Sequence, residues 1–191
     1  SPIITVIGDP FSGRNEFINR YLDTAIPAID AFANHAQFTL LIHRPDDTPM
    51  SLPGTAVDGD PRFPFYHISD RLEQIEKGES RHINSYLELT TNNSSKLKDK
   101  TIVLAPGFSP NVKDKGVALL REHAATLSDL VFVFLDASKP NLEDFRTTLA
   151  PFLEMTSQSH NPGKFIYVIN QTQDSVNPVD LNSWKQQLTN L

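Results

Sequence analysis

Four short apolar runs, each rich in β-branched or aromatic residues, alternate with amphipathic helical stretches along this chain: Ile3–Ile7, Thr101–Ala105, Leu130–Leu135 and Phe165–Ile169. A strand that is apolar at nearly every position, rather than at every second one, is buried on both faces. A fifth run, Phe38–His43, is more mixed and is expected nearer an edge. Helices are predicted over Asn15–Asp23, with Phe17, Ile18, Tyr21 and Leu22 on one face, and over Lys115–Leu127, with Leu119, Leu120, His123, Ala124 and Leu127. Two more are predicted over Leu142–Leu153 and Pro178–Leu188, the latter opening on a proline that suits a first helical turn. Buried strands alternating with such helices dictate an α/β three-layer sandwich around a mostly parallel sheet.

The stretch from about 44 to 100 interrupts this rhythm. It opens with the turn formers Pro45, Pro49, Pro53, Gly54, Gly59, Pro61 and Pro64, and reads as a Pro/Gly-rich insertion. Leu72, Ile75, Ile83, Tyr86 and Leu87 then suggest helix between Ile68 and Leu89, and Asn92–Lys100 reads as loop. With 191 residues, the chain is expected to form one domain, 1–191, carrying that insertion. It begins Ser1-Pro2 without an initiator methionine, so a fragment of a longer protein is expected.

The chain has no cysteine, which excludes disulfide frameworks, thiolate metal sites and cysteine nucleophiles. The net charge of −6 argues against a nucleic-acid partner. No apolar run approaches the ~20 residues of a membrane-spanning helix.

The first strand runs directly into Gly8-Asp9-Pro10-Phe11-Ser12-Gly13-Arg14-Asn15 and then a helix. Strand, G-x-x-x-x-G, helix is the setting of a phosphate-binding loop, in which backbone N–H groups and the helix N-terminus face an anion. Lys and Ser/Thr should follow, for the phosphates and for Mg²⁺. Arg14 and Asn15 stand there instead, and Asp9 adds a negative charge that opposes a polyphosphate. Two readings follow: a turn kept for its shape, or a working phosphate loop. The candidate nucleotide-binding residues, read as vestigial, are Gly8, Ser12, Gly13, Arg14 and Asn15 from this loop, with Gly107 and Asn170 from the two stretches below.

Leu104-Ala105-Pro106-Gly107 occupies the place of a GTPase D-T-P-G motif, with Leu104 in place of the aspartate that holds the metal-bound water. Asn170-Gln171-Thr172-Gln173 occupies the place of N-K-x-D. Gln173 replaces the carboxylate that accepts two hydrogen bonds from guanine, and Asp174 lies one position late. This motif order predicts that Ile3–Ile7 pairs with Thr101–Ala105 and Leu130–Leu135. Phe165–Ile169 would lie beyond Leu130–Leu135, and Phe38–His43 antiparallel on the far side of Thr101–Ala105.

Together these residues resemble the EHD family of dynamin-like ATPases and its luminal relative sarcalumenin. The segment from Val6 to Leu22 is similar to that family's phosphate loop and first helix. Phe38–His43, then Pro53-Gly54-Thr55-Ala56-Val57-Asp58 and Pro64-Phe65, is similar to its next strand and its P-G-N-A-L-V-V-D stretch. The segment from Ser128 to Lys139 resembles its A-D-L-I-F-V-V-F-D-x-x-K-L strand. The resemblance implies a P-loop GTPase-like fold with one antiparallel edge strand, ATP binding with Mg²⁺, self-assembly and membrane remodelling. Asn34 and His35 lie about where the family's switch threonines belong.

Four motifs altered at their chemical positions while their scaffold residues persist read as a pseudoenzyme. The expectation is a catalytically inactive GTPase-fold scaffold without cofactor, acting in membrane trafficking or remodelling. Its partners would be proteins or further copies of itself, with flanking segments on a membrane surface. It would be cytoplasmic and peripheral, with a lumenal location the alternative. The competing functions are a switch that holds ATP or GTP with Mg²⁺, and a slow ATPase or GTPase.

Elsewhere, His43, His67, His82, His123 and His160 show no metal-ligand spacing. Asp136 reads as a cap or loop anchor, and Trp184 as packing. Lys96, Lys98, Lys100, Lys113 and Lys115 read as a solvated basic face, or alternatively as a lipid headgroup contact.

Overall fold

The described residues build one seven-stranded sheet in the order β3-β4-β2-β5-β1-β6-β7. These strands are β1 (Ile3–Gly8), β2 (Phe38–His43), β3 (Ser51–Pro53), β4 (Leu87–Asn92), β5 (Thr101–Pro106), β6 (Leu130–Asp136) and β7 (Phe165–Asn170). The helices are α1 (Arg14–Leu22), α2 (Thr55–Asp58), α3 (Ile68–Ile75), α4 (Lys115–Leu127), α5 (Glu143–Ser157) and α6 (Pro178–Thr189). The structure, a computed structural model, describes residues 1–9, 12–25, 37–45, 50–75, 82–108, 114–137, 143–170 and 178–189.

The pairing expected from the motif order is present. β1 runs parallel to β5, with Ile3 opposite Thr101, and parallel to β6, with Ile4 opposite Leu130. β7 lies beyond β6, and β2 is antiparallel to β5. β2 is not near an edge, however. It pairs on its other side with β4, in parallel, and the antiparallel edge strand is the three-residue β3.

Alternation along each strand divides the core into two layers. Ile7, Val103, Ala105, Val131, Val133, Phe38 and Leu40 face a large cluster built with residues of α2 to α6. Val6, Ile102, Leu104, Leu41 and Phe134 face a smaller one, closed by Ile18 and Leu22 of α1 and by Leu97. Both faces of the central strands are therefore covered, as their uninterrupted apolar sequence requires.

Two further sequence expectations need correction. The helix placed between Ile68 and Leu89 is α3, which ends at Ile75, and Leu87–Asn92 is strand β4. Leu87, Leu89 and Thr91 point to one face of the sheet and Glu88, Thr90 and Asn92 to the other, a period of two that the preceding Ile83 and Tyr86 had disguised as a helical one. The buried face of α4 is also rotated by one position from the expected stripe. It carries Val117, Leu120, Arg121, Ala124 and Ala125, while Leu127 is 43% exposed.

Candidate functional site

In a sheet of this kind, the carboxyl ends of the parallel strands gather the residues that follow them, and the loops there are free to meet a ligand. The loop after β1 is closed by its own hydrogen bonds. The backbone N–H and the hydroxyl of Ser12 both donate to the carbonyl of Asp9, at 3.0 and 2.6 Å. Gly13 then starts α1 at φ 84°, a left-handed conformation that favours glycine. A side chain at Gly13 would run into the amide of Asn170, and one at Gly8 would reach Ser12 Oγ at 2.5 Å. Asn170, the last residue of β7, donates from Nδ2 to the Ser12 carbonyl at 3.1 Å. At the end of β5, a side chain on Gly107 would meet Asp9 Oδ1 at 2.5 Å.

The structure thus brings together Gly8, Ser12, Gly13, Arg14, Asn15, Gly107 and Asn170 at one pole of the sheet. The residues at the two altered positions are engaged with the protein itself. Arg14 donates from Nη1 to the carbonyl of Ala105 at 2.6 Å and from Nε to Asn15 Oδ1 at 3.0 Å. Burial lowers its pKa to about 10, against the opposing pull of Asp9 and Glu16. Leu104 lies in the smaller apolar cluster with Val6 and Ile18, and its side chain supplies no oxygen to a metal. Asn34, His35, Gln171, Gln173, Asp174 and Lys113 fall outside the described residues.

Arg121 was missed by the sequence reading. It projects from the buried face of α4, donates to the Gly107 carbonyl and stacks its guanidinium over Phe108 at 4.3 Å from the ring centroid. Its pKa is also lowered to about 10, first by burial, with Asp9 acting in the opposite direction. The available signal was its spacing, since 117, 120, 121, 124 and 125 form one helical stripe only if an arginine is admitted to it.

A groove of about 720 Å³ opens beside this pole between α1 and the β6–β7 edge, lined by Phe17, Arg20, Tyr21, Phe132, Phe134 and Val168. The lysines do not form one cluster. Lys96, Lys98 and Lys100 precede β5 and Lys115 follows it, so that six residues of strand at about 3.3 Å each separate them. Lys100 is turned back onto the Tyr21 hydroxyl at 3.2 Å. Trp184 is buried and donates to the Ala137 carbonyl at 3.3 Å, a packing role. Among the described residues, no three histidine, aspartate or glutamate side chains could share a metal ion. None of the described helices is long and apolar enough to cross a membrane.

No protein-family model matches the chain, and no curated protein sequence matches it significantly. Solved structures do. Two from work on an oligomerised bacterial dynamin pair, described as a mechanism for long-range sensing and tethering of membranes, superpose with TM-scores of 0.63 and 0.59. Each is 16% identical, the alignments covering 100% and 98% of this chain. The chain spans 30% of the length of each of those proteins. What is shared at this identity is the architecture alone: a mostly parallel α/β sheet similar in fold to the aligned part of those dynamin chains.

Proposed function

We propose that this chain is a nucleotide-independent assembly module built on a dynamin-like GTPase fold, and that it works in membrane remodelling or tethering. The observation that carries the reading is the engagement of Arg14. The cation at the phosphate-contacting position spends its hydrogen bonds on Ala105 and on Asn15, the residue at the metal-ligand position. Leu104, where a metal-water aspartate belongs, supports the same reading from within an apolar cluster. A hydrolytic site would have to replace several contacts, each of which contributes a factor of tens or more to rate. The fold does not by itself assign a role. Membranes and self-assembly enter from the dynamin-like neighbours, whose described activity is tethering. No nucleotide, metal or nucleic-acid partner forms part of the proposal, and a peripheral cytoplasmic location accompanies it.

The test is the nucleotide content of the purified, denatured protein, together with its phosphate release in ATP or GTP with Mg²⁺. The expected result is no stoichiometric nucleotide, and a melting shift under about 1 °C at millimolar nucleotide, because a ligand of the folded state stabilises by RT ln(1 + [L]/Kd). Stoichiometric ADP or GDP would replace this reading with a nucleotide-holding switch. Steady phosphate release abolished by substitution of Gly13 would replace it with a slow enzyme. Co-sedimentation with anionic vesicles, and sizing by light scattering, check the membrane and assembly parts.

A further inference from the structure

The two faces of the sheet are unequally covered. Residues of α2 to α6 pack on one face, and among the described residues α1 is the only helix that closes the other. Strands β6 and β7 nevertheless carry apolar side chains on that second face, where Phe132 and Phe134 stand in register with Ile166 and Val168. Ile166 is 41% exposed and Phe17, on the facing side of α1, 37%. Apolar side chains exposed together on neighbouring elements mark a surface that a partner covers. The groove between them holds about 720 Å³. A nine-residue helix such as α1 is about 14 Å long and 10 Å across, roughly 1,000 Å³, so the groove accepts about two thirds of one. Ridge and groove therefore lie side by side on one face and match each other in size. The charges match as well. Glu16 and Arg20, one turn apart on α1, both line the groove and both are exposed. Among the described residues neither is held in an ion pair. Lys100, 5.9 Å from the Tyr21 ring, adds to the positive end. A second α1 laid antiparallel beside the first sets the acidic end of each against the basic end of the other, whereas a parallel one sets like against like.

We propose that two copies of this chain associate through this face about a two-fold axis, α1 of each lying antiparallel to its counterpart and in the other copy's groove, with Glu16 of one copy against Arg20 of the other. Such an interface is isologous: the pair Glu16–Arg20 occurs twice, and Phe17 of each copy is covered near the axis. The inference rests on the assembly part of the proposed function and gives it a surface. It places no demand on nucleotide, because the contacts lie on the outer side of α1 and not on the carbonyls that hold Arg14.

The test is sedimentation equilibrium of the 191-residue chain at low salt and without nucleotide, for the wild type, Glu16→Arg and Arg20→Glu. The wild type is expected to dimerise reversibly. Each reversal turns two attractive pairs into two repulsive ones, so each variant alone is expected to dimerise at least about tenfold more weakly. An equimolar mixture of the two variants restores both attractive pairs and is expected to recover the wild-type constant, as is the double variant. A monomeric wild type overturns the proposal and leaves the groove to another occupant. A dimer unmoved by the single reversals, or a loss that the mixture does not restore, overturns it too. Circular dichroism melting checks that the variants fold. If a reversal unfolds the chain, cross-linking replaces it, since the sequence has no cysteine of its own. Glu16→Cys mixed with Arg20→Cys is then expected to form a disulfide-linked dimer faster than either variant alone, and equal rates overturn the proposal. Assembly that ignores these charges removes this surface and leaves the proposed function standing. Stoichiometric nucleotide in the wild type removes the proposed function and leaves the charge-reversal result intact.

Discussion

Gly13 stands at φ 84° with the Asn170 amide where a β-carbon would be. Gly13→Ala is therefore expected to cost about 1–3 kcal/mol of stability, measured by urea unfolding. Asn170→Ala in the same chain should recover only the steric part, so the two effects will not add. His123 carries a second prediction. Arg71 donates to its Nδ1 at 2.8 Å, so Nε2 carries the proton and donates to the Pro64 carbonyl, also at 2.8 Å. Burial, with the neighbouring Arg71 charge, holds its pKa below the ordinary 6.5, although the Pro64 contact works the other way. The unfolded chain then binds the extra proton first. Stability from this contact is complete above about pH 6.5 and declines as pH falls through the lowered folded value. The melting temperature of the wild type should drop below pH 6.5 more steeply than that of His123→Gln. At this scale, glycines and Asn170 were legible because loop geometry restricts which residue types can serve. Arg121 was not, because a charged residue is counted on the polar side of a helix until a carbonyl and an aromatic face are seen to receive it.

Helix α4 is held at both ends by side chains. Asp114 accepts from the N–H groups of Gly116 and Val117 at 2.7 and 3.3 Å, and from the hydroxyl of buried Tyr86 at 3.2 Å. Lys164 donates to the Thr126 and Ser128 carbonyls at the other end, both at 3.0 Å. Asp114→Ala is expected to cost about 1 kcal/mol from the lost cap, and Asp114→Asn much less. Helix α5 contains Pro151, which is exposed and lacks the N–H its turn requires. Pro151→Ala should raise stability by about 1–3 kcal/mol in the same unfolding assay. Strands β1, β2, β5 and β6 could be read to within a residue or so because burial on both faces leaves a nearly uninterrupted apolar run; β7 was as legible from its apolar sequence, but it is an edge strand with Ile166 41% exposed rather than one buried on both faces. Strand β4 could not. Glu88 is tolerated beside an edge strand of only three residues, so the signal is half polar and merges with the apolar residues that precede it.

Over the whole molecule, β1 is the seam of the sheet: both of its neighbours, β5 and β6, come from far along the chain. A chain ending at Leu127 would leave β1 as an exposed apolar edge, and it is expected to show no cooperative melting transition. In the full chain, the amides of β1 should exchange only through global unfolding, which hydrogen-exchange mass spectrometry would read directly. The same order of pairing sets a schedule for biosynthesis. Strand β1 finds its first neighbour only after residue 101 has been made and its second only after residue 130. At about 5–20 residues per second, that is a delay of roughly ten seconds. Throughout it, Ile3–Ile7, aliphatic but for Thr5, lies bare while β2 and β4 can already pair with each other. Over that interval the strand is open to non-native association, and a slowed codon before Thr101 is expected to lower the yield of folded protein more than one after Asp136.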